Sequence, residues 1–340
     1  MELSADPTAA LPVDFAAYVA QREQRLAEHL IEGLPDYGFS LDIKLRRNFA
    51  SIPPLRWAVR AAARSIEPVY QHLMMQEGVA VSPRQLPELH RMAERCAERL
   101  GIGVPRVFVK PDVRPNAWTL ASDDVRPSIV LTSSLLRITA KDEMFAIIGH
   151  ECGHIHNLHG AWQSLVVLLS NPLARGVLGG AARSGLGVGS MAYVEMLVGG
   201  ALQLFLARWS RCAEVTCDRA GVVCSGSPDA MCRALVKLQV GDGGELGNID
   251  IDEYLKQIPV TKSSLVRLRE LGRSHPVTHK RIEAIRLFAE SDVAASWLPG
   301  LPAGAPSRRL VEVDEECERL ISVWDTSYRT HRQASREANP

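Results

Sequence analysis

Ile148-Gly149-His150-Glu151-Cys152-Gly153-His154 is the stretch on which the reading of this chain turns. It contains the pattern HExxH. On a helix, residues four apart lie about 40° apart around the axis and one turn along it. His150 and His154 can therefore offer two imidazoles to one metal ion. Glu151 lies about 100° further round, close to a metal's open position without being forced to bind. Zinc accepts imidazole nitrogens and a carboxylate, and a catalytic site keeps one place for water. Glu151 is then the general base that takes the proton of that water as it attacks a carbonyl. The alternative is a helix with surface histidines.

The context upstream supports a helix that starts on cue. Ser128 to Thr132 reads as a short apolar strand. Thr139, followed by Asp142 and Glu143, resembles a capping box, which predicts a helix from about Lys141 to His159. Met144, Phe145, Ile147 and Ile148 supply its apolar face. A longer pattern, HExxHxxGxxH, would require Gly at 157 and His at 160. The chain has Asn157 and Gly160, so that pattern fails. His156 and His159 are then read as surface residues near the negative end of the helix dipole.

A third ligand has to come from elsewhere. Downstream, Glu214-Val215-Thr216-Cys217-Asp218 supplies ExxxD, with both carboxylates on one helix face. Glu214 would complete the metal site. Asp218 would hold the free nitrogen of a histidine ligand. By itself, an i, i+4 acidic pair can equally be an exposed and mildly repulsive one.

The rest of the chain is read around these two helices. Residues 13–34 and 55–77 have helical periodicity, ended by Pro35 and Gly78. Residues 88–100 form a third helix, ended by Gly101. Val104 to Val109 and Ala117 to Ala121 are two more strands. Residues 208–240 are helical, with a break at Gly226 to Pro228. Residues 262–290 hold a loop and a helix, Leu298 to Pro306 a linker, and 309–336 a charged amphipathic helix. The class is α+β and mostly helical, with a small sheet beside the HExxH helix and helical flanks at both ends. The expected domains are 1–85, 86–292 and 293–340.

Composition bounds the function from outside. The chain has 340 residues, with Lys plus Arg equal to Asp plus Glu at 39 each, and 46% hydrophobic residues. Such a chain is too apolar and too balanced to be disordered. It also lacks the basic face that a nucleic-acid binder needs. The N-terminus has neither the basic nor the apolar region of a secretory leader. The seven cysteines include no CxxC pair, which points to buried thiols in a reducing cytoplasm. Residues 161–207 are apolar and glycine-rich, with Arg175, Arg183 and Glu195 the only charges before the helix resumes. They leave three readings open: a lid, a buried hairpin or a membrane segment. The expected location is accordingly cytoplasmic, with membrane association through 161–207 as the alternative.

HExxH followed by ExxxD resembles the HtpX and CAAX-prenyl-protease family of zinc metallopeptidases, which are gluzincins, over roughly residues 88–290. The resemblance implies a zincin-like core. It implies one zinc per chain on His150, His154 and Glu214, with Glu151 as base and Asp218 supporting a ligand. Asn116-Ala117 resembles the family's Asn-Ala segment at the substrate-binding edge strand. His275-Pro276, followed by Arg281-Ile282, resembles its late HP…RI element, where the histidine stabilises the oxyanion. The implied activity is hydrolysis of polypeptides, in protein quality control or regulatory cleavage. The competing readings are a zinc protein that binds peptides without cutting them, and a membrane-bound protease with the same site.

Overall fold

The consecutive apolar residues Val107-Phe108-Val109 within Arg106–Lys110 and the apolar centre of Val125–Thr132 require a sheet covered on both faces. The computed structural model places both at the middle of one. It describes residues 29–31, 33–51, 71–122, 125–160, 162–163, 188–241, 249–256, 276–298 and 307–323. In chain order the named elements are β1 (Leu30–Ile31), β2 (Leu34–Pro35), α1 (Ser40–Ala50), β3 (Val79–Ala80), α2 (Pro87–Leu100), β4 (Arg106–Lys110), β5 (Ala117–Ser122), β6 (Val125–Thr132), α3 (Ser133–Ile138) and α4 (Lys141–His156). They continue with α5 (Val188–Ser225), α6 (Pro228–Val240), α7 (Ile251–Lys256), α8 (Thr278–Ala289), α9 (Asp292–Trp297) and α10 (Leu310–Ile321). The fold is mostly helical with small sheets. No helix among the described residues is long and apolar enough to cross a membrane.

The chain divides into two units, each gathered from separate stretches of sequence: 1–36, 63–161 and 220–247 in one, and 37–62, 162–219 and 248–340 in the other. The first unit is built on a four-stranded sheet of order β3-β4-β6-β5. β4 and β6 run parallel, while β3 and β5 are antiparallel additions at either end. β5 thus has β6 as its one neighbour among the described strands. Its residues alternate in role. Trp118 and Leu120 pack against Met74, Phe108 and Val130. Thr119 and Ala121, on the opposite face, are buried.

Helix α4 is fixed at its first turn by charge. The Glu143 carboxylate accepts from the Ala140 amide at 2.7 Å, from Lys237 Nζ at 2.7 Å and from Arg233 Nε at 3.2 Å. One carboxylate therefore caps α4 and ties it to α6. The helix starts at Lys141 as expected, but its cap is Ala140, one residue beyond Thr139. Thr139 instead donates to Leu135 O and closes α3, a short helix that periodicity did not register. Further along, Gly149 lets α4 approach the last turns of α5. A Cβ there would stand 2.4 Å from Cys224 Cβ and 3.2 Å from Gly221 Cα.

The second unit is helical and organised around buried charge. Arg219 is fully buried and donates to Asp314 Oδ1 at 2.7 Å and to Tyr37 O at 3.1 Å. Its guanidinium lies over the Phe39 and Phe288 rings, 5.4 and 5.1 Å from their centroids. Burial alone would lower its pKa, but Asp314 and Cys317 more than offset this, so the pKa is raised and the charge persists. Asp42, also buried, accepts from Trp209 Nε1 at 2.9 Å and Thr216 Oγ1 at 2.8 Å. Thr216 Oγ1 in turn accepts from the Phe39 amide at 3.1 Å.

Two expectations near the N-terminus need correction or fall outside view. Leu30–Ile31 and Leu34–Pro35 pair as the antiparallel strands β1 and β2 rather than ending a helix, and Gly33 has φ 75°. Helical spacing of apolar residues there is too short a run to outweigh a glycine and a proline that terminate it. Residues 13–28 of that expected helix, and 55–70 of the next, lie outside the described residues, whereas 71–77 are helical up to Gly78 as expected. Of residues 161–207, the stretch 164–187 lies outside them and 188–207 belong to α5.

Candidate active site

HExxH sits in the last two turns of α4, as its spacing requires. His150, Glu151 and His154 are all buried, at 7%, 5% and 3% exposure. Burying three such groups is costly unless they are paired or hold a metal. The rings of His150 and His154 have centroids 5.1 Å apart and meet edge to face. Glu151 is met by the edge strand: Thr119 Oγ1 lies 2.7 Å from its Oε2 and 3.0 Å from its main-chain oxygen.

His156 and His159 are not surface residues. They are 1% and 0% exposed. After α4 the chain turns back through Leu158, which has φ 60°, and the His159 amide donates to His154 O at 2.9 Å. This carries the His159 ring against His154, with the two Nδ1 atoms 3.2 Å apart. Gly160 then lies so close to β5 that a Cβ would meet Ala121 O at 2.0 Å. The helix dipole argument fails for these histidines because the turn is folded inward.

The ExxxD residues lie on α5. Arg281 of α8 holds both carboxylates: its Nη1 is 3.0 Å from Glu214 Oε2, while Nε and Nη2 donate to the two oxygens of Asp218 at 2.8 and 2.5 Å. Glu214 and Asp218 are 4% and 1% exposed, so the repulsion of two buried carboxylates is relieved by one bidentate guanidinium. Burial would lower the pKa of Arg281, but the two carboxylates raise it overall, and the residue remains a cation. The reading that Asp218 supports a histidine did not include this bond. The Arg281-Ile282 resemblance was its signal in the sequence.

His150 and His154 on α4 offer two buried imidazoles, and Glu214 on α5 a buried carboxylate; these are the metal ligands read from the sequence. Two imidazoles and one carboxylate, all buried, suit zinc. Asn116 immediately precedes β5, its amide donating to Thr132 Oγ1 at 2.8 Å and its carbonyl accepting from the Thr132 amide at 3.0 Å. Its side chain is exposed and Ala117 beside it is half-buried. His275 lies outside the described residues.

Thr119 and His159, which touch Glu151 and His154, are not singled out by the sequence pattern. Thr119 did leave a trace, because it is the one hydroxyl on a strand face otherwise made of Ala117 and Ala121. His159 left none, since its burial depends on a turn that helical periodicity cannot foresee.

A plastoglobule-localized metallopeptidase of Arabidopsis thaliana is 31% identical over 179 residues, covering 53% of this chain and 48% of that protein. The chain thus spans about half the length of that relative. A protease HtpX homolog of Pyrococcus furiosus is 32% identical over 223 residues, covering 62% of this chain and 76% of its own. The crystal structure of S. mikatae Ste24p matches at 21% identity with a TM-score of 0.45, over 72% of this chain and 60% of that one. The model of peptidase family M48 matches residues 83–289, a span that holds α4, the ExxxD turns of α5 and Arg281. The chain therefore belongs to peptidase family M48, and it is a metalloprotease by family.

Proposed function

We propose that the chain is a zinc-dependent endopeptidase of the gluzincin type, with a zincin-like core and one zinc per chain on His150, His154 and Glu214. The observation that carries this is the burial of His150, Glu151 and His154 together in the last turns of α4. Bound zinc would supply a Lewis acid for the scissile carbonyl and lower the pKa of a water.

The chain's own residues do the rest. Glu151 accepts the proton of the attacking water and returns it to the leaving amine. Arg281 keeps the charge of Glu214 and Asp218 from accumulating where a third ligand is needed. β5 offers an extended polypeptide the backbone edge it does not share with β6, and Asn116 and Ala117 begin that edge. His275, which precedes α8, is the proposed donor to the oxyanion, on the strength of the family resemblance.

Glu151→Gln tests the reading. Its zinc content should equal that of wild type at one per chain, while casein cleavage falls by at least about 10³-fold. Zinc-loaded wild type that cuts nothing would favour a peptide-binding protein instead.

A further inference from the structure

A general base has to point, and the side chain of Glu151 has three rotatable bonds with which to point elsewhere. Its carboxylate is met by a hydroxyl from a different element. Thr119 Oγ1 stands 2.7 Å from Oε2 and 3.0 Å from the main-chain oxygen of the same glutamate. We propose that Thr119 is a positioning residue that fixes the Glu151 carboxylate through this bridge. The proposal rests on the reading of Glu151 as general base.

The geometry favours a clamp over an incidental contact. The hydroxyl touches both ends of one residue, its backbone and its carboxylate, so it fixes the side chain relative to its own helix turn. It carries one proton for two acceptors, and the shorter approach is to the carboxylate, as expected for an O–H···O⁻ bond. The hydroxyl is itself held. Thr119 is 7% exposed and pairs in register with Ile129 of β6. Threonine is stiff about χ1 in a strand. The neighbours Trp118 and Leu120 anchor the opposite face of β5 in the core. Ala121 is gripped by the close approach of Gly160. The strand that would take up substrate thus also carries the group that aims the base.

The test compares Thr119→Val with Thr119→Ser in the full chain, with labelled casein as substrate. Valine keeps the shape and loses the hydroxyl, whereas serine keeps the hydroxyl. The valine variant should lose about 10- to 100-fold in kcat, the usual cost of removing a supporting hydrogen bond of this kind. Its KM, melting temperature and zinc content should stay at wild-type values. Serine should restore most of kcat. A valine variant with wild-type kcat overturns the proposal, as does an equal loss in both variants. Wild type that binds zinc and cleaves nothing overturns the peptidase reading and Thr119's role with it. Wild type that cleaves beside an equally active valine variant overturns only the role of Thr119.

Discussion

In the unit that carries α4, the functional helix is held by close approach. Gly149 lies against Cys224 and Gly221, and Gly160 lies against Ala121. Ion pairs tie down the first turn of α4, where Glu143 meets Arg233 and Lys237. In the unit that carries residues 162–219, the segment from Glu214 to Arg219 is held by buried charge and hydroxyl bonds instead. Arg281 takes Glu214 and Asp218, Asp42 takes Thr216, and Asp314 takes Arg219. Packing fixes a helix through short-range repulsion and does not depend on its neighbours' charge. A buried ion pair fixes geometry only while both partners are present, because either alone is an uncompensated charge. The two units should therefore fail in different ways.

The largest effect belongs to the charged unit. Arg219→Ala leaves Asp314 buried without its cation, and urea unfolding should show a loss of about 3–5 kcal/mol. Removing both charges, as in Arg219→Met with Asp314→Leu, should recover most of it, since an apolar pair of similar volume is often no worse. A double variant as unstable as the single one would show that packing, not charge, decides there. The packed unit fails by crowding. Gly149→Ala puts a Cβ 2.4 Å from Cys224 Cβ, and the helices must separate. Overpacking of this kind costs about 1–3 kcal/mol, and no second charge change should recover it. A Gly149→Ala protein with wild-type stability would break the contrast.

Legibility in the sequence followed the same division. HExxH is a statement about one helix, and helical spacing alone placed His150, Glu151 and His154 on α4. The strands β4 to β6 and the break between α5 and α6 were equally local, marked by alternation and by Gly226 and Pro228. The contacts that support the site were not legible, because each joins residues far apart in the chain. Thr119 meets Glu151 across 32 positions and Arg281 meets Asp218 across 63. The inward turn at Leu158 defeated the reading of His156 and His159 for a related reason. A non-glycine residue in the left-handed region is set by surrounding packing, and nothing in Asn157-Leu158-His159 announces it.

The smallest effect lies with the buried thiols of the two units. Cys317 is neutral when protonated. Burial pushes its pKa up to about 11, with Arg219 pulling it down and Asp314 pushing it back up. In the unfolded chain the thiol ionises nearer ~8.5–9. A raised folded-state pKa contributes stability that is complete below the unfolded value and lost as pH rises through the folded one. The window therefore runs from about pH 9 to about pH 11, and the loss attributable to Cys317 is at most about 2.7 kcal/mol. Urea unfolding across that window should show wild type falling more steeply than Cys317→Ala by this amount. In the packed unit, burial likewise raises Cys96, joined by hydrogen bonding with Cys152 and Cys224, and no cation is among the causes that shift it. Cys96→Ala should flatten the alkaline slope in the same direction. A Cys317→Ala protein with the alkaline slope of wild type would mean that burial beside Arg219, 3.8 Å from the sulfur, leaves the thiol at its unfolded value.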